Sequence, residues 1–419
     1  MPPHKKKFLA AGLSCTVLLV LAGCSSNSTS AGTSSTTTGA STGGGSSKTI
    51  TVGVLTDQTG LASSEFATAA AGVKAGVGVA GTEGYHIKYV VGDTNSSPAG
   101  ALSAAQKLVE QDHVFAVLGL SSLTFSASNY LTAQGIPVVG ASFDGPEWLS
   151  PKSYNMFSVI GNLDYTKVTT TTGVFMKSKG VTNLGALGYS ISPSSAAAAR
   201  AAGVSAQAQG IQAGYINDSF PFGGTNVAPV ALAMKSAGVN GVNLNVDPNT
   251  AFSLVAALKQ QGVNLKVALL PTGYGGDLIN SGPAAIQAAQ GDYFLSTFEP
   301  IEMHTAATQA IQSAFATYAG IHNDPTFAQY LGYLSVGGLV LGLQKAGANP
   351  TQSSVINALS HITNYDAAGL WGGHQTVDWS QRPMGETQCY WVTKLSGSTF
   401  HLVSGSIPIC GTIIPGKSV

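Results

Sequence analysis

The stretch His113–Ser142, HVFAVLGLSSLTFSASNYLTAQGIPVVGAS, constrains the fold of this chain most. It holds an apolar run (Val114–Leu120), two serines, a segment of helical character, a break at Gly135 and a second apolar run (Ile136–Val139). A short β-branched run, hydroxyls opening a helix and another buried run make one βαβ unit of a parallel sheet. Ser121 and Ser122 fall where strand gives way to helix. There the free N–H groups of the first turn and the positive end of the helix dipole favour an anion. The pair is thus a candidate cradle for a small carboxylate that needs no lysine or arginine. A plain N-cap is the alternative reading.

At 419 residues the chain is long for one core, so two lobes are expected. Lys plus Arg is 19 and Asp plus Glu is 19, which removes any electrostatic case for nucleic acid. Only 9% of residues are charged and 52 are glycine, so the surface is neutral and the turns tight. Such a chain is too apolar for disorder.

The N-terminus points to a compartment. His4-Lys5-Lys6-Lys7 is a positive leader, and Phe8–Leu21 is an apolar segment too short to span a bilayer comfortably. It ends in Leu21-Ala22-Gly23-Cys24, which resembles a bacterial lipoprotein signal. That resemblance implies a signal peptide over 1–23, lipid on Cys24 and membrane anchorage outside the cytoplasm; an ordinary secretory signal is the alternative. The Ser/Thr/Gly-rich segment up to residue 48 is expected to be a flexible linker, reaching roughly 25–30 Å. Cys15 leaves with the signal. Cys389 and Cys410 remain, an even pair in an oxidising compartment, and a disulfide between them is expected.

From Thr49 the pattern alternates. Strands are expected at Thr49–Leu55, His86–Val91, Val114–Leu120, Ile136–Val139 and Phe157–Ile160. Helices fall between them at Ala62–Val79 and from Pro98, capped by Ser97, through Gln111. After a Thr-rich helix over 165–178, a second βα array follows from Leu184 to Thr297. Helices Thr305–Ala319, Phe327–Lys345 and Gln352–Leu359 come next, then an antiparallel tail over Thr376–Ser404. Two successive arrays predict an α/β protein of two doubly wound parallel-sheet lobes. Phe327–Lys345 is broken by glycines and reads as a buried helix rather than a membrane span.

Several motifs do not hold. Gly76-Val77-Gly78-Val79-Ala80-Gly81 has the letters of a dinucleotide loop, but it closes a helix instead of following a strand, and is expected to be a helix stop and turn. Gly119-Leu120-Ser121-Ser122-Leu123 resembles a nucleophile elbow whose last glycine is Leu123, and His304, His361 and His374 have no recognisable setting. No metal spacing, phosphate loop or cofactor motif appears. No cofactor and no enzymatic activity are expected, a secreted serine hydrolase being the remote alternative.

The ordered series Ile50–Leu55, Gln58-Thr59-Gly60, Val90–Thr94, Ala104–Val109, Val117-Leu118-Gly119, Gly135–Val139, Tyr330–Tyr333 and Ala346-Gly347 resembles the type I periplasmic binding proteins of the leucine/isoleucine/valine-binding group. The resemblance covers residues 49–405. It implies two lobes joined by three crossovers near Gly161–Asp164, Thr297–Pro300 and Gly372–Asp378. Lobe I would be 49–162 plus 299–374, and lobe II 163–298 plus 375–419. It implies the monomeric solute receptor of an ABC importer, partnered by a membrane permease and binding a branched-chain amino acid or a related amide or carboxylate. A sensing receptor for a signalling partner is the alternative. By position, it implies ligand contacts from Gln58; from Leu120, Ser121 and Ser122 (the carboxylate site); from Ala141, Ser142 and Phe143; and from Tyr189 with Ser190–Ser192, Asp247 and Thr272–Tyr274. Phe143 replaces the threonine common in that group and would shrink the cleft or line an apolar ligand. The group's usual glutamate is missing from Pro271–Tyr274, so Asp247 is the candidate ammonium partner, with Glu299 second; Asp247 is equally a turn or helix-cap residue.

Overall fold

The computed structural model describes residues 49–162, 164, 166–381, 388–403 and 407–419. The signal peptide, Cys15, Cys24 and the linker lie outside the described residues. The first lobe is built on five parallel strands: β1 (Ile50–Thr56), β2 (Ile87–Asp93), β3 (Ala116–Leu120), β4 (Val138–Ser142) and β5 (Met156–Asn162), in the order β2-β1-β3-β4-β5. Central strands such as β3 (AVLGL) and β4 (VVGAS) are buried at every position, as a parallel sheet covered on both faces requires. In register, Val54 sits between Val91 and Leu118.

The second lobe carries β6 (Asn183–Tyr189), β7 (Gln212–Phe220), β8 (Gly241–Asn245), β9 (Val267–Leu270) and β10 (Tyr293–Ser296), all parallel. The tail adds β11 (Cys389–Ser396) and β12 (Thr399–Leu402) antiparallel, in the order β12-β11-β10-β9-β8-β6-β7. A short β13 (Ile409–Cys410) pairs with β11, and there the expected Cys389–Cys410 disulfide is formed. The fold is thus two α/β lobes with parallel sheets, as predicted. The tail departs in detail, its first described strand beginning only at Cys389.

Ser97 caps helix Pro98–Glu110 by accepting from Gly100 N at 3.1 Å, as its sequence signature requires. The helix expected over Ala62–Val79 is instead two, Ser63–Phe66 and Ala69–Thr82. The glycines read as a stop lie inside the second: a Cβ on Gly76 would stand 2.8 Å from Val336 and one on Gly78 2.1 Å from the Tyr318 ring, whereas Gly81 faces open space. Helix Ala69–Thr82 packs against helix Phe327–Ala346, where a Cβ on Gly72 would stand 2.0 Å from Gln329 O and one on Gly332 2.4 Å from Ala69 O. Among the described residues no helix is long and apolar enough to cross a membrane.

Candidate functional site

The strands of both sheets end, at their carboxyl termini, around one cavity of about 350 Å³. That is where doubly wound sheets place ligands, and the size is at the low end for small-molecule sites. From the first lobe come Ser122 after β3, Ser142 and Phe143 at the end of β4, Glu65 and Phe66 after β1, and Phe327 and Tyr330 from the first turn of the long helix. From the second come Tyr189 and Ser192 around the end of β6, Asp247 after β8, Thr272 and Tyr274 after β9, and Thr297 after β10.

The serine notch exists, and the protein itself fills it. Asp57, fully buried at the end of β1, accepts from Ser121 Oγ at 2.8 Å, Ser122 N at 2.7 Å, Ser122 Oγ at 2.9 Å and the Thr94 hydroxyl. The start of helix Phe125–Ala133 is taken the same way, Phe125 N donating to Asp144 Oδ2 at 2.7 Å. Burial pushes the Asp144 carboxyl up to about 6, against the donated N–H groups of Trp148 and Phe125. The donors therefore select an anion, as the sequence argues, but the anion is internal, and Ser121 and Ser122 are not free to take a ligand carboxylate. Ser121 also donates to an aspartate where a hydrolase nucleophile would face a histidine.

Other expectations are corrected or refined. Gln58 is solvent-exposed and does not line the cavity. Leu120 and Ala141 belong to the core behind its wall. Ser142 lines the cavity while its hydroxyl donates to Gly161 O. Asp247 lines it as well, yet its carboxylate caps helix Pro248–Gln260: it accepts from Asn249 N at 3.0 Å, Thr250 N at 3.2 Å, Thr250 Oγ1 at 2.6 Å and the Tyr189 hydroxyl. Four donors saturate it, so the cap reading prevails. Glu299 is buried outside the cavity and accepts from Thr305 Oγ1 at 2.5 Å. Ser192 caps helix Pro193–Ala208, and Thr272 Oγ1 donates to Val246 O at 2.8 Å. Tyr274 donates to Glu302 and accepts from Ile301 N at 3.1 Å.

Phe143 lines an apolar wall. Its ring stacks on Phe66 at 4.9 Å between centroids and meets Phe327 edge-on at 6.0 Å. Tyr189 and Phe222, 5.2 Å apart, face the cavity from the other lobe.

The residue sequence reasoning missed is Glu65. It lines the cavity, partly buried, beside this aromatic group. Burial, then the fields of Asp277, Asp247 and Asp57, raise its carboxyl well above the usual range. The available signal was an acid in the short helix directly after β1. Asp277, in helix Gly276–Asn280, accepts from Phe327 N at 3.0 Å and so ties the second lobe to the long helix of the first. Burial raises it to about 7. Lys167, a cation on the cavity wall, is paired with Asp164 at 3.0 Å. The buried hydroxyls of Tyr330 and Thr297 line the cavity without a hydrogen-bond partner. No group of His, Cys, Asp and Glu suited to a metal ion occurs among the described residues.

Residues 49–399 match the family described as periplasmic binding protein. No curated protein sequence matches the chain. Solved structures do. A solute binding protein of an ABC transporter from R. palustris, in complex with 4-hydroxybenzoate, is 17% identical, with a TM-score of 0.70 over 87% of this chain and 97% of that one. A leucine binding protein, LivK, from Thermotoga maritima is 14% identical, with a TM-score of 0.70 over 86% and 99%. A fatty acid ABC transporter substrate-binding protein from Thermomonospora curvata is 18% identical, with a TM-score of 0.70 over 86% and 92%. At such identities the likeness is one of fold.

Proposed function

We propose, from the premise that this chain belongs to the periplasmic binding protein family, that it is the extracytoplasmic receptor of an ABC importer for a solute with an apolar body and an uncharged or cationic nitrogen head. The observation that carries the head-group reading is Asp57 in the Ser121/Ser122 cradle. The anion position is taken by the protein, so an incoming carboxylate would meet Glu65 and Asp247 on the cavity wall with Lys167 already paired. An ammonium instead meets Glu65, which ionises against it in a desolvated site. An amide meets the Glu65 carboxyl and the Tyr330 and Thr297 hydroxyls, which have no hydrogen-bond partner. The rings of Phe66, Phe143 and Phe327 give the body an apolar bed and favour a cation over their faces. A zwitterionic amino acid is thereby a poorer fit than its amide or amine.

Closure follows from differential affinity: contacts from both lobes favour the closed form, which a permease then reads. The proposed hinges are the segments near Gly161–Asp164, Thr297–Pro300 and Gly372–Asp378. The lipoprotein-like signal ending at Cys24 supports a body tethered near that permease. The test is calorimetric titration with matched triads, benzoate, benzamide and benzylamine, and leucine, leucinamide and isoamylamine. The amides and amines are expected to bind and the carboxylates to bind at least about tenfold more weakly. Glu65→Gln is expected to weaken the amines by about tenfold and leave the amides nearly unchanged. Preferential binding of the carboxylates would overturn the reading.

A further inference from the structure

The cavity does not stop at the cleft. It continues inside the second lobe, between helix Pro193–Ala208 and the ends of β10 and β11. The helix reads PSSAAAARAAGVSAQA and turns Ala198, Ala201, Ala202 and Ser205 toward this space. Leu295 and Tyr390 line it from the sheet. Larger side chains at the helix positions would narrow this space, and the alanines leave it open. The Tyr390 hydroxyl is buried here and completes no hydrogen bond, although the Thr172 hydroxyl stands beside it.

We infer that this inner chamber is a tail subsite: the ligand lays an unbranched apolar chain along the alanine face, and a hydroxyl at its far end pairs with Tyr390. The inference takes only the orientation of the ligand from the head-group reading above. It makes Ala198, Ala202 and Tyr390 specificity-determining, selecting for chain length and for a terminal hydroxyl. Each methylene that enters the chamber is expected to raise affinity about fourfold.

The experiment titrates the full secreted protein with propylamine, butylamine and hexylamine, with the matching alcohols, and with aminohexanol. Wild type is expected to gain about fourfold per methylene and to bind aminohexanol more tightly than hexylamine. Ala202→Leu is expected to abolish the gain beyond propyl while leaving propylamine within about twofold, and Tyr390→Phe to abolish the preference for aminohexanol. Ala198→Leu serves as the second plug should Ala202→Leu not fold. A chain-length gain shared by amines and alcohols alike upholds the chamber and overturns the head-group reading. Amine preference without a chain-length gain does the reverse. Equal weakening of every chain length by the plugs overturns the chamber, and binding of none of these compounds overturns both.

Discussion

Asp277 joins the two lobes through a single carboxyl, and its removal has a calculable effect. It is buried, accepts from Phe327 N at 3.0 Å, and has a pKa raised from 3.8 to about 7 by burial. A carboxyl whose pKa rises on folding supports the fold below its unfolded value, and that support is withdrawn as pH climbs through the folded value. Here the window runs from 3.8 to about 7. Across it the charge costs about 4 kcal/mol at ~1.36 kcal/mol per pKa unit, an upper limit because opening of the cleft relieves it. Asp277→Asn keeps an acceptor for Phe327 N and removes the charge. At about pH 8 the variant is expected to be more stable by about 2–4 kcal/mol, which raises Tm by roughly 3–5 °C. At about pH 4 the advantage is expected to shrink below about 1 kcal/mol, because folded wild type is protonated there. Scanning calorimetry of both proteins across this range is the assay. Parallel pH–Tm curves, or a variant less stable than wild type at the alkaline end, would refute the account.

Two further outcomes are expected. Asp57→Ala leaves the Ser121 and Thr94 hydroxyls and Ser122 N without their buried acceptor, and should cost about 3–5 kcal/mol in denaturant unfolding; a loss below about 1 kcal/mol would show that water replaces the carboxylate freely. Reduction of the Cys389–Cys410 bond, which spans 21 residues, should cost about 3 kcal/mol by loop entropy, seen as a lowered Tm in the presence of a thiol reductant.

Much of the architecture was legible because it rests on local patterns. The apolar runs of β3 and β4, the Ser97-Pro98 cap, β9 over Val267–Leu270 and helix Gln352–Leu359 follow from periodicity and capping alone. Of the positions named from sequence, Phe143, Ser142, Tyr189, Ser192, Asp247, Thr272 and Tyr274 line one cavity. What sequence reasoning could not supply was the occupant of the notch, because Asp57 and Ser121 lie 64 residues apart and only the sheet order brings their strand ends together. Asp247 shows the same limit: its cap motif is local and readable, but the Tyr189 hydroxyl that completes its shell comes from another strand. Gly76 of Ala69–Thr82 looks like part of a helix stop until a second helix, from far along the chain, lies against it.

That backbone-to-backbone seam has a mechanical corollary. Side chains in a core can repack, whereas two helices whose glycines meet main chain have no slack to slide. Phe66 ends the short helix just before Ala69–Thr82 and Phe327 opens the other helix of the seam, so the two rings sit at one end of it. When the halves of the molecule swing apart, the aromatic bed should travel intact, and a departing guest would leave a surface already shaped for the next.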